Sequence, residues 1–241
     1  MPTDQPIPNL SRNGPVFVLR FSEPAPTQTA SPDDAAPDNA FSPAFLDVLD
    51  ALLDEVEASE GPAALVTTGV GKFYSNGLDL GVLAGDPDGL PAYVSRVQRV
   101  LARLLQLELP TVAAINGHAF GAGAMFALSH DHRVMRSDRG FWNLPEAQLG
   151  MPFPPGMNAL ISTRLSHAVA STAMLTSRRY GAQDAMAAGI AHEVADADAV
   201  LDRAVEVASD LAQFRGENYA GIRRGLVAGI LTHLVEPIDE L

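Results

Sequence analysis

Between Thr111 and Gly156 the chain runs TVAAINGHAFGAGAMFALSHDHRVMRSDRGFWNLPEAQLGMPFPPG, and the order of residue types there permits few folds. Thr111 to Ile115 is apolar and rich in small and β-branched side chains, as a buried strand requires. Asn116-Gly117 is a tight-turn signal, and Gly121-Ala122-Gly123 then opens an apolar stretch of helical composition. Strand, turn and helix start in that order leave the first backbone N–H groups of the helix unpaired, so the junction can hold a negative charge. Further on, a single carboxylate, Glu146, stands among apolar and aromatic neighbours. A backbone anion hole and one sheltered carboxylate are what proton abstraction beside a carbonyl requires.

The rest of the chain supplies the frame for that junction. Val16 to Phe21 reads as a strand, and residues 23–40, rich in Pro, Ala and Asp, read as a long exposed loop. Ser42-Pro43 is a helix start, followed by Phe45, Leu46, Leu49, Leu52, Leu53 and Val56 at helical spacing. Ala63 to Thr68 is a second buried strand, Gly69 to Asp79 a loop, and Ala92 to Leu107 a helix with Val94, Val97, Leu101 and Leu104 on one face. Short helical pieces follow the central stretch, and then helices over Asp196–Phe214 and Asn218–Leu234. Strands concentrate in the first 145 residues. The pattern is α/β with a helical C-terminal section, which by itself fits either a doubly wound sheet or a ββα spiral.

Composition narrows the partners. The 241 residues carry a formal charge of −13, with Lys72 the only lysine among 16 basic residues. Such a surface repels phosphate backbones and argues against nucleic acid. No apolar run is long enough to span a bilayer, and the first residues lack the basic and apolar regions of a signal peptide. The terminal Ile238-Asp239-Glu240-Leu241 is only superficially like an ER-retention tail. A chain without cysteine has no disulfide and no thiolate metal site. A cytoplasmic protein without a membrane partner is expected.

With those residues in view, the chain resembles the crotonase, or enoyl-CoA hydratase/isomerase, superfamily over essentially its full length. Lys72-Phe73-Tyr74-Ser75-Asn76-Gly77-Leu78-Asp79-Leu80 is similar to that family's FxxGxDL loop. Ala114-Ile115-Asn116-Gly117-His118-Ala119-Phe120-Gly121-Ala122-Gly123 is similar to its AxxNGxAxGxG segment, and Asn39-Ala40 to the Asn-Ala-Leu element before its first helix. The resemblance implies a crotonase-like ββα spiral core over residues 1–190 and a C-terminal helical trimerisation region over 191–241, with a homotrimer or a dimer of trimers as the assembly. It implies an oxyanion hole of the Leu78 and Ala122 backbone N–H groups, the second position being commonly glycine in the family. It also implies an acyl-CoA substrate, with Lys72, Ser75, Asn76 and Gly77 on the CoA side. Coenzyme A would be part of the substrate, and no separate cofactor or metal is implied.

Family hydratases resemble one another in using two glutamates. The first of these positions, three residues beyond the second oxyanion donor, is occupied here by Met125, and a thioether moves no proton. The second matches Glu146, whose setting Asn143-Leu144-Pro145-Glu146-Ala147-Gln148-Leu149-Gly150 resembles the corresponding segment of Δ3,Δ2-enoyl-CoA isomerases. Those enzymes also carry an apolar residue at the first position. The resemblance therefore implies a Δ3,Δ2-enoyl-CoA isomerase with Glu146 as base and then acid. Met125, Trp142, Met151 and Phe153 are expected around it as an acyl pocket that raises its pKa by desolvation. A hydratase using other residues, a dienoyl-CoA isomerase, a thioesterase and a catalytically silent acyl-CoA-binding protein are the alternatives.

Two other readings are weaker. The glycines at 117, 121 and 123 lie mid-chain and lack the acid of a dinucleotide-binding fingerprint. His118, His130, Asp131 and His132 are close in sequence, but the turn and helix between them give no reason for convergence on a metal, so structural roles are expected.

Overall fold

The computed structural model describes residues 7–22 and 37–238. The loop expected over 23–40 falls mostly outside the described residues, as do the first six residues and the chain end after Ile238. A hairpin of β1 (Asn9–Asn13) and β2 (Val16–Arg20) precedes α1 (Pro43–Ala58). That helix starts where expected: Ser42 Oγ accepts the Phe45 N–H at 3.2 Å, and Pro43 opens the first turn.

Three strand–strand–helix turns follow. The first is β3 (Ala64–Thr68), β4 (Phe73–Ser75), the short α2 (Leu80–Gly85) and α3 (Leu90–Gln106). The second is β5 (Thr111–Ile115), β6 (His118–Phe120) and α4 (Ala122–Leu128), and the third β7 (His132–Arg136), β8 (Trp142–Asn143) and α5 (Glu146–Leu149). Beyond them lie α6 (Pro155–Arg164), α7 (His167–Thr176), α8 (Ala182–Ala187), β9 (Glu193–Ala195), α9 (Val200–Leu211) and α10 (Glu217–Leu234).

The leading strand of each turn enters a six-stranded sheet, β1-β2-β3-β5-β7-β9, and the second enters a three-stranded sheet, β4-β6-β8. Every pairing is parallel except β1 with β2. This is the expected ββα spiral. The segment read as a loop over Gly69–Asp79 contains β4, and β9 lies well past the first 145 residues.

Side-chain alternation divides the interior. Val16, Val18, Val66, Val112, Ala114 and Val134 point to one face of the large sheet, where Val200, Ala204 and Ala208 of α9 cover them. Phe17, Leu19, Leu65, Ala113 and Ile115 point to the other, into the main core with α1, α3, α4 and α6. The segments past residue 190 pack back onto the spiral. β9 pairs with β7, α9 seals the outer sheet face, and α10 packs on α3 and α6. No helix among the described residues is long and apolar enough to cross a membrane.

Candidate active site

The ends of the small-sheet strands converge on a cavity of about 210 Å³. Its walls come from four places: the loop after β4 (Asn76, Leu78), the start of α4 (Gly121, Ala122, Met125), the segment from Pro145 to Met157, and α2 with the start of α3 (Leu80, Leu83, Leu90, Val94). Glu146 is the one acidic side chain among the lining residues.

Glu146 opens α5, a single turn closed by Gly150 in the left-handed region, with the Met151 N–H returning to Glu146 O at 3.0 Å. Met151-Pro152-Phe153-Pro154 then runs outside any helix, since a residue before proline disfavours helical geometry, and all four line the cavity. Glu146 is 9% exposed, and its Oε2 is buried without a hydrogen-bond partner. Burial raises its pKa to about 7, and contact with its own backbone N–H does not offset that. A β-carbon on Gly121 would stand 3.2 Å from Glu146 Oε1, so the carboxyl group lies against the residue before Ala122.

The Leu78 and Ala122 loops touch. Gly77 has φ +86°, and a β-carbon there would lie 2.7 Å from Phe120 O and 2.9 Å from Ala122 N, so only glycine fits. Three neighbouring amides are engaged: Gly77 N–H donates to Ser75 Oγ at 3.1 Å, Asp79 N–H to Tyr93 Oη at 2.9 Å, and Gly121 N–H to Asn143 O at 3.0 Å. Among the described residues, the Leu78 and Ala122 N–H groups meet no acceptor. Two free donors and one unpaired carboxyl group thus open on the same apolar cavity, an arrangement able to stabilise an oxyanion while moving a proton.

The structure redistributes several expected residues. Asn76, Met125, Met151 and Phe153 line the cavity. Trp142 does not: on β8 its side chain turns inward, the indole N–H donates to Ala124 O at 3.0 Å, and the ring meets Tyr180 edge-on. Ser75 is fully buried and donates to Asn39 O at 2.7 Å, so its side chain has no surface to offer CoA. Gly77, also buried, serves the approach of the two loops. Lys72 is exposed at the start of β4, with its ammonium 5.7 Å from the Phe73 ring centre.

The histidines and Asp131 part company. His130 is fully buried, with Nε2 on Thr67 Oγ1 and Nδ1 on Phe126 O, and burial pushes it down to about 3. His132 pairs with Glu193, Asp131 with Thr111 and Arg223, and His118 stacks among Phe73, Phe120 and Phe141. Sequence reasoning missed the α2 and α3 wall, although its signal was present: Leu80, Leu83, Leu90 and Val94 follow the Leu78 loop at near-helical spacing.

The profile of a family described as Enoyl-CoA hydratase/isomerase matches residues 33–236. A protein of Arabidopsis thaliana named enoyl-CoA delta isomerase 3 is 36% identical over 227 residues, covering 90% of this chain and 90% of that protein. A second Arabidopsis protein, named enoyl-CoA delta isomerase 2, peroxisomal, is 34% identical and covers 80% of this chain and 87% of its own length. The crystal structure of a probable enoyl-CoA hydratase from Mycobacterium tuberculosis superposes with a TM-score of 0.85 at 26% identity, over 96% of this chain and 93% of that one.

Proposed function

This chain belongs to the enoyl-CoA hydratase/isomerase family, with the crotonase fold, and from that premise we propose that it is an enoyl-CoA isomerase that moves a double bond from C3 to C2 of an acyl-CoA thioester. In this reading the thioester oxygen lies between the Leu78 and Ala122 N–H groups. Glu146 takes a proton from C2, and the C2–H electron pair forms the dienolate, whose charge rests on that oxygen. The same carboxyl group returns the proton to C4, the C2=C3 bond forms, and Glu146 is a carboxylate again. Nothing is consumed, and no cofactor beyond the substrate's own coenzyme A is needed.

The observation that carries the reading is the solitary, unpaired Glu146 in an apolar cavity, with a pKa of about 7. A group poised there exchanges protons in both directions near neutrality. Met125, 1% exposed on the cavity wall, holds no water where a second carboxylate would, which favours transposition over hydration. Asn76, at the cavity wall, and the exposed Lys72 are the proposed contacts to CoA. The outward-facing Ile222 and Leu226 of α10, 61% and 72% exposed, support a homotrimer or a dimer of trimers built on the C-terminal helices.

Incubation with a 3-enoyl-CoA and, separately, a 2-enoyl-CoA tests this. The expected product of the first is the 2-enoyl-CoA, with little 3-hydroxyacyl-CoA from either. Glu146→Gln is expected to lower turnover at least about a thousandfold while still binding a saturated acyl-CoA. Dominant hydration, or near-parental turnover by the variant, overturns the reading.

A further inference from the structure

The loop that carries Leu78 is pinned on both sides of one residue. Before it, Asn76 N–H donates to Asp38 O at 2.9 Å and Gly77 O accepts from Phe41 N–H at 2.8 Å. After it, the Asp79 N–H donates to the Tyr93 hydroxyl at 2.9 Å, and that hydroxyl donates in turn to Phe41 O at 2.7 Å. Tyr93 therefore joins the exit of the Leu78 loop to the residue that already holds its entry. It reaches across from α3, is 8% exposed, and lies beside the cavity residue Val94.

We propose that Tyr93 is a positioning residue for the oxyanion grip: by fixing the Asp79 amide against Phe41 it turns the Leu78 N–H into the cavity and keeps it there. Each residue has only two soft backbone dihedrals: the Phe41 bond to Gly77 O holds the peptide plane that carries the Leu78 N–H, and the Tyr93 bond to the Asp79 N–H holds the plane on the other side of Leu78, so neither plane is left to swing. Pre-set direction matters because a donor that must reorient during the reaction loses much of its effect on the developing charge. Burial pushes the Tyr93 pKa up to about 12, so the hydroxyl keeps its proton and serves as acceptor and donor at once. Asp79 also caps α2, its carboxylate accepting the Gly81 N–H at 2.8 Å. The same hydroxyl thus helps to seat the helix whose Leu80 and Leu83 form the cavity wall.

The inference rests on the proposed reaction only in needing a thioester oxygen at Leu78, and its test is chosen to separate the two. Tyr93→Phe in the full chain removes one oxygen and keeps the ring. Its kcat on a 3-enoyl-CoA is expected to fall roughly tenfold, the effect of one well-placed hydrogen bond, with KM within about twofold. Two thioesters supply a readout that loss of packing alone does not move. Acetoacetyl-CoA, followed by the absorbance of its enolate, carries negative charge on the gripped oxygen, whereas butyryl-CoA does not. The variant is expected to bind the enolate roughly tenfold more weakly than the parent and butyryl-CoA equally well. Equal weakening of both ligands, parental kcat, or a parent with no preference for the enolate overturns the proposal. If Tyr93→Phe does not fold, Tyr93→His, which retains a ring nitrogen, decides by the same pair of ligands. A parent that binds the enolate selectively but converts no 3-enoyl-CoA refutes the isomerase reading and leaves the test of Tyr93 intact.

Discussion

The two ends of α4 lie roughly 10 Å apart and treat buried polar groups in opposite ways. At its C-terminus the end carbonyls and the following residues are engaged. Arg164 donates to Leu128 O at 2.9 Å and also to His130 O, Arg133 donates to His130 O at 3.0 Å, and His130 uses both ring nitrogens. Asp131 accepts from the Thr111 backbone at 2.8 Å, from its hydroxyl and from Arg223, which also donates to Leu107 O and Leu109 O. Only Arg223 Nε is left without an acceptor there. At the N-terminus the pattern reverses: among the described residues the Ala122 amide and the Leu78 amide of the adjoining loop meet no acceptor, and a Glu146 carboxyl oxygen is unpaired. Paired ionisable groups hold a fold, and groups held unpaired are available to a ligand.

The largest effect that separates the ends is on stability. Arg223→Ala removes the cation paired with Asp131, which keeps its Thr111 donors, and takes the Arg223 donor from the Leu107 and Leu109 carbonyls; it is expected to cost about 4 kcal/mol, lowering the thermal midpoint by about 8–16 °C. Glu146→Gln is expected to cost nothing at pH 8, because it removes an unpaired buried charge. If calorimetry shows both variants equally destabilised, the contrast is wrong.

A pH series sharpens the comparison. Burial raises Glu146 from 4.5 to about 7, so between those values the native state keeps a proton that the unfolded chain releases. Native binding of the extra proton means that stability falls as pH rises through that window, by roughly 3 kcal/mol in total. Urea unfolding of the parent should show this slope, and Glu146→Gln should lack it; parallel curves would place the carboxyl group in contact with solvent. Activity should run the other way, kcat/KM rising with pH toward a plateau above about 7 as the base form appears.

A smaller effect than these is expected at the contact between the two donor loops. Gly77→Ala places a methyl group 2.9 Å from Ala122 N on a residue with φ +86°, and is expected to raise the barrier by about 2 kcal/mol. Steady-state kinetics should register this mainly in kcat. An unchanged kcat would show that the two amides do not act together.

Much of this frame was legible beforehand. The helices α1 and α3 announced themselves by spacing and, for α1, by the Ser42-Pro43 cap, and β2, β3 and β5 by short runs of apolar and β-branched residues. The strands of the small sheet were not visible as strands, because two or three residues cannot display an alternation. That blindness explains the misplacement of Trp142: nearness to Glu146 in sequence suggested a shared pocket, but β8 sends its side chain under α4. Ser75 failed for the same reason, its position on β4 turning the hydroxyl inward. Tyr93 was invisible because its partner, Asp79, lies 14 residues away across α2 and the turn that follows it.

One contact behind the cavity has consequences beyond the reacting atoms. Gly156 of α6 is wedged so closely that a β-carbon there would fall 2.5 Å from Gln98 Oε1 on α3 and 2.8 Å from His233 O on α10. Its neighbour Met157 forms part of the cavity wall, so the closing helix of the chain braces that wall from the rear. Under the proposed function, proton transfer belongs to the spiral, whereas the wall facing a hydrocarbon tail is backed by the packing of α10 against α6. On that reading, changes to the terminal helix retune which tails are accommodated and leave the transfer chemistry untouched.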